Sequence, residues 1–132
     1  MERLTKSWAS QKPSSGPMFE VELDPDDAKL VTLARAARVR NNTAEGAAVR
    51  DDTGRTYVAT TVALSSLSLS ALRAAVVVAV ASGAGGLEAA AIVSSEAVVH
   101  GDDLAVVAEI GPGVSVIFAD PDGVVHGVVV AD

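Results

Sequence analysis

The stretch Leu69–Ser82, LSALRAAVVVAVAS, constrains the fold more than any other part of the chain. Arg73 is its one charge, and from Ala74 to Ala81 every residue is alanine or valine. A helix with this sequence has no polar face, and a helix that is apolar all round must be covered all round. It is also too short to span a bilayer, which takes ~20 apolar residues. The stretch is therefore expected to be the central helix of a folded core, or of a core shared between subunits.

The 132 residues suit one domain. Hydrophobic residues make up 49% of the chain but aromatic ones only 3%, so the core must be built from Ala and Val, with few rings on which bases could stack. The net charge of −7 argues against nucleic acid as a partner, because non-specific binding needs a basic surface. All ten Lys and Arg lie within residues 1–73, whereas residues 74–132 carry eight acids and no base. That asymmetry serves solubility or helps subunits pair. The absence of cysteine removes disulfides, thiolate metal ligands and thiol nucleophiles together. The opening MERLTKSWASQ has no apolar signal core, so a cytoplasmic location and no membrane partner are expected.

Residues 1–22, rich in Ser, Pro and Gly and holding the single Trp8, read as a flexible extension to a domain over 23–132. Asp24-Pro25-Asp26-Asp27 opens a helix with an acidic cap, proline at the first helical position and acids at the positive end of the dipole. Leu30, Leu33, Ala34 and Ala37 form its apolar stripe. Arg35, Arg38 and Arg40 lie towards its end, and Asn41-Asn42 stops it.

Gly46–Arg50 and Arg55–Ala63 read as a β-hairpin turning at Asp51-Asp52-Thr53-Gly54. A serine-rich link then leads to the central helix, capped by Ser68 or Ser70. Leu87–Ser94 reads as an interior strand. A helix capped by Asp102 or Asp103 runs to Ile110, and strands follow over 114–119 and 124–130. The order α-β-β-α-β-α-β-β predicts a three-layer α/β domain, a mixed five-stranded sheet with helices on both faces.

This order resembles the cytidine deaminase-like family from about Asp24 to Val130. The Leu30–Arg40 helix, the Gly46-Ala47-Ala48-Val49 strand with its Asp-Gly-type turn, and the segment from Gly111-Pro112 to Asp120-Pro121-Asp122-Gly123 are the parts most similar to it. The resemblance implies a zinc ion held by one ligand on the central helix and two more in a P-C-x-x-C motif opening the next helix. A Glu two residues after the first ligand would move the proton during attack of a metal-activated water on the base.

Matched residue by residue, the C-A-E motif falls on Ser70-Ala71-Leu72, with Arg73 at an arginine that often follows. P-C-G-x-C falls on Val99-His100-Gly101-Asp102-Asp103, which places His100 and Asp103 at the two cysteine positions. The ribose-binding N-x-E falls near Ala59-Thr60-Thr61, and the loop after the first helix is shortened to Asn41–Glu45. Leu72 can neither donate nor accept a proton, and Ser70 is a poor zinc ligand.

The expectation is a cytidine deaminase-like protein without turnover and without a cofactor. It would act as a structural or regulatory homo-oligomer, a dimer or tetramer, or as a module binding a nucleoside or a protein. Catalytic residues are then absent, with Ser70 and Leu72 as degenerate positions, and Glu45, Ala59 and Thr61 are the candidates for a pocket. The alternative is an active hydrolase that deaminates cytidine or a related nucleoside with zinc, or another metal, on Ser70, His100 and Asp103. Against that alternative, Asp103 reads as an ordinary first-turn acid, His100 as a loop residue, Glu45 as a solvated acid and His126 as a surface residue. Gly83-Ala84-Gly85-Gly86 follows a helix rather than preceding one, so it is not a phosphate loop.

Overall fold

The computed structural model describes residues 22–132, so the expected extension, Trp8 included, lies outside the described residues except for Glu22. Helix α1 (Pro25–Asn41) starts as its sequence dictates. The Asp24 carboxylate accepts from the Asp26 N–H at 2.9 Å, and Pro25 takes the first helical position. Its buried stripe is Leu30, Val31, Ala34 and Ala37; Leu33 is only half-buried and Val31 fills the place expected of it. Asn42 ends the helix in the left-handed region at φ 52°.

Strands β1 (Glu45–Asp51) and β2 (Thr56–Thr60) form the expected hairpin. Asp51 organises its turn. One carboxylate oxygen accepts from the Thr53 N–H at 2.9 Å, the Thr53 hydroxyl at 2.7 Å and the Arg55 N–H at 3.0 Å, and the other accepts from the Tyr57 hydroxyl at 2.8 Å. These donors, the Thr53 hydroxyl foremost, hold the Asp51 carboxyl down at about 2 against the opposing effect of burial.

The return strand is shorter than Arg55–Ala63. β1 begins at Glu45, so past Thr61 the chain has no partner in the main sheet. Val62–Ala63 (β3) pairs instead with Ser68–Leu69 (β4) in a separate two-stranded ribbon, within what reads in sequence as a plain loop. Ser70, not Ser68, caps α2 (Ala71–Ala81), accepting from the Arg73 N–H at 3.2 Å.

Helix α2 is covered on one side only. Ala71, Leu72, Ala74, Ala75, Val76 and Ala79 are buried, whereas Val77, Val78 and Val80 are 51%, 41% and 49% exposed. A single chain therefore does not give this helix the all-round cover that its composition demands.

β5 (Leu87–Ser94) is the central strand, antiparallel to β1 on one side and parallel to β6 (Val114–Ala119) on the other. Helix α3 (Gly101–Ile110) joins the parallel pair, and β7 (Val125–Ala131) closes the sheet in the order β2-β1-β5-β6-β7. His100 stands at the N-cap of α3 and makes no side-chain cap bond. Asp102 and Asp103 lie within the first turn rather than at the cap, still at the positive end of the dipole.

Strand alternation sorts the core into two layers. Ala48, Ala89, Ala91, Val93 and Ile117 pack beneath α1. Ala47, Val49, Ala90, Ile92 and Val116 pack on the other face with Leu72, Ala75 and Ala79 of α2 and Val107 of α3. The architecture is thus the expected three-layer α/β domain with a mixed five-stranded sheet. Small residues set its spacing: a Cβ at Gly46 would strike the Ala34 carbonyl, so α1 rests directly on the β1 backbone. Among the described residues no helix is long and apolar enough to cross a membrane.

Candidate functional site

In the β1–β5 register Glu45 lies opposite Ser94. This places the start of β1 beside the carboxyl end of β5, where the chain turns towards α3. The N-terminus of α2 arrives at the same place, since the Ala71 N–H donates to Glu45 Oε1 at 3.0 Å. Crevices at the carboxyl ends of strands are where open α/β sheets bind ligands.

Asp103 is the buried member of this region, 2% exposed. Its Oδ1 accepts from the Ser70 hydroxyl at 2.8 Å and lies 3.2 Å from Arg73 Nε. Arg73 Nε also lies 3.2 Å from Ser70 Oγ. One guanidinium N–H is therefore shared between the two side chains that join α2 to α3. Asp103 Oδ2 is buried with no hydrogen-bond partner among the described residues. A buried carboxylate needs a partner of opposite charge, and Arg73 provides it here.

Glu45 is fixed through its backbone as well as through Ala71. Its N–H donates to Thr61 Oγ1 at 3.0 Å, and its carbonyl accepts from the Thr61 N–H at 3.2 Å and the Thr43 hydroxyl at 3.0 Å. Thr61 thus anchors the start of β1, which bears Glu45. Ala59, paired with Ala47 in the sheet, packs against the core beside α2 and presents no polar group. Leu72 is fully buried in that same core.

His100 belongs to a different setting from Asp103, although the two are one helical turn apart. It is half-exposed, and its Nε2 lies 3.2 Å from Glu96 Oε1. Ligand atoms of Glu45, Glu96 and His100 all lie within 4.8 Å of one another. Of the residues singled out from sequence, the structure brings Ser70 and Asp103 together and Glu45 and His100 together, as two adjoining clusters sharing the α2 N-terminus.

Arg73 and Glu96 complete those clusters; sequence reasoning matched Arg73 only to an arginine that often follows the family motif, and gave Glu96 no part. The spacing of four between Glu96 and His100 was the available signal for the second. For Arg73 the signal was the lone charge in an apolar helix, which had to be answered by an acid somewhere.

A family model described as cytidine deaminase-like matches residues 23–123. Among solved structures, cytidine deaminase from Burkholderia pseudomallei is similar at 26% identity, covering 78% of this chain and 91% of that one, with a TM-score of 0.66. Cytidine deaminase from Mycobacterium tuberculosis is similar at 28% identity over 70% of this chain and 85% of that one, with a TM-score of 0.62. The Mycobacterium leprae enzyme shares the fold at 22% identity, covering 78% of this chain and 91% of that one, with a TM-score of 0.62. No curated protein matches the chain.

Proposed function

We propose, from the premise that this chain belongs to the cytidine deaminase-like family, that it keeps the family's fold without its reaction and works as a homo-oligomeric structural or regulatory subunit or as a binding module. The observation that carries this reading is the Ser70–Arg73–Asp103 contact. The three positions where the resemblance implies metal ligands hold Ser70, His100 and Asp103. The Ser70 hydroxyl is committed as a donor to Asp103 and as an acceptor from Arg73, and a neutral hydroxyl is a poor zinc ligand. Arg73 Nε stands 3.2 Å from both Ser70 Oγ and Asp103 Oδ1, so a cation already serves this pair, and its charge opposes a second one there. These residues do not fit the family's zinc.

Leu72 supports the same reading. At the position of the proton-carrying Glu stands an aliphatic side chain with no exposed surface, which can exchange no proton with a substrate.

The oligomer part of the proposal draws support from α2. Val77, Val78 and Val80 leave its outer face apolar, and a groove of about 380 Å³ between α2 and α3 is lined by Val76, Val77, Val80, Ala81, Val106, Glu109 and Ile110. A second copy would supply the missing cover.

The deciding experiment is a cytidine absorbance assay on purified, zinc-supplemented protein at high concentration. Turnover indistinguishable from buffer is expected. Measurable deamination that disappears in Ser70→Ala would overturn the proposal and favour the alternative of an active hydrolase on Ser70, His100 and Asp103, for which the unpartnered Asp103 Oδ2 is the supporting observation. Light scattering tests the oligomer: a dimer or tetramer is expected, and a monomer at micromolar concentration overturns that part.

A further inference from the structure

The cluster of Glu45, Glu96 and His100 has a composition that the reading above does not use. Two carboxylates and an imidazole offer ligand atoms that all lie within 4.8 Å of one another. Carboxylates brought this close repel, and a cation bound between them relieves the repulsion. Among the described residues neither Glu45 nor Glu96 forms an ion pair with Lys or Arg; Arg73, at the start of α2, is engaged with Asp103 and Ser70, and Arg38 Nε donates to the Ala44 carbonyl. Glu96 has only the His100 ring, and Glu45 only the Ala71 amide.

The donors are also held from both sides. Glu45 is fixed by Thr43, Thr61 and Ala71. The segment carrying Glu96 and His100 is tied down between them, where the Ala97 N–H donates to Ser94 Oγ at 3.1 Å and to the Ser94 carbonyl at 3.2 Å. Glu96 and His100 themselves are exposed, so their side chains are free to turn inwards by the small amount that closure requires. Bonds of about 2.1 Å to a shared ion draw tetrahedral donors to roughly 3.4 Å apart.

We infer that Glu45, Glu96 and His100 bind a divalent transition-metal ion of the zinc type, a site whose donor set differs from the one the family resemblance implies. One imidazole nitrogen and two carboxylate oxygens suit such an ion, and solvent completes its coordination. The ion fastens the start of β1 to the loop that opens α3. It lies beside the Ser70–Arg73–Asp103 contact and does not use it. This inference is independent of the absence of turnover: the deamination assay tests that reading, and ion binding tests this one.

The experiment is a calorimetric titration of the full chain, free of any metal-binding tag, with Zn²⁺, repeated with Co²⁺ to read the ligand field by absorption. One equivalent per chain is expected. Affinity should fall at least tenfold in Glu96→Gln and in His100→Ala, both exposed positions where folding is not at stake, and should stay unchanged in His126→Ala. The inference is overturned if the wild type shows no saturable binding at millimolar ion, or if Glu96→Gln binds as the wild type does. It is equally overturned if folded Ser70→Ala loses the ion, which would place the metal at the family's position instead.

Discussion

Arg73 joins two helices through two small side chains, and the energetics of that contact follow from who is buried. Asp103 is 2% exposed while Arg73 is 37% exposed. Removing the cation leaves a buried carboxylate without a counter-charge, which costs about 3–5 kcal/mol in a fully buried pair. Solvent reaching Arg73 reduces that, so Arg73→Met is expected to cost about 2 kcal/mol in urea unfolding. The double variant Arg73→Met, Asp103→Leu should recover most of the loss, because the stranded charge goes with it; an additive double variant would contradict this account. Leu72 is the other residue whose identity decides much. Leu72→Glu puts a carboxylate among alanines and valines and is expected to lower the unfolding midpoint sharply while giving no deamination, as measured by circular dichroism beside the cytidine assay. Turnover in that variant would mean that the metal and substrate positions are intact after all. These two residues also show what can be read from sequence. Leu72 was legible through the family motif. The partner of Arg73 was not, because a contact between two helices separated by a strand leaves no mark in local spacing.

At the scale of elements, the β1–β2 turn carries an acid-sensitive contribution to stability. The Asp51 carboxyl is held at about 2, below the ordinary value near 4 in the unfolded chain. Between those values the unfolded state binds more protons, so stability rises with pH. The contribution is complete above about pH 4 and is lost as pH falls towards 2. Denaturation midpoints measured from pH 5 to pH 2 should fall less steeply in Asp51→Asn than in the wild type. Where α1 crosses β1 the limit is steric. Gly46→Ala drives a methyl group into the Ala34 carbonyl and should cost about 1–3 kcal/mol or more, seen as a lower urea midpoint with an unchanged slope. Element legibility follows the same physics. α1 was readable because Asp24-Pro25 states its start chemically. The β3–β4 ribbon was not, since strands of two residues have no alternation to detect. The exposed face of α2 was hidden because Ala and Val mark no polar side, and the start of α3 was misplaced because two adjacent acids look like caps wherever they fall.

For the whole molecule, the order of elements and the alternation of small apolar residues were enough to predict a mixed sheet with helices on both faces, and the structure has that architecture. The candidate site was legible only in outline, as positions rather than as groupings. The Ser70–Arg73–Asp103 cluster depends on how α2 meets α3, and the Glu45–Glu96–His100 cluster on which residues the sheet register sets opposite one another; both are tertiary properties. Glu45 meets Ser94 only when β1 and β5, far apart in the chain, have paired, and Glu96 and His100 follow Ser94 out of that same strand. The unfolded polypeptide consequently has no such trio of donors. Zn²⁺ is then a ligand of the native state alone, and mass action makes it a thermodynamic brake on unfolding. At a free ion concentration a hundredfold above the dissociation constant the added stability is about 2.7 kcal/mol. It should be read as a zinc-dependent rise in the denaturation midpoint, abolished by chelator and missing in Glu96→Gln.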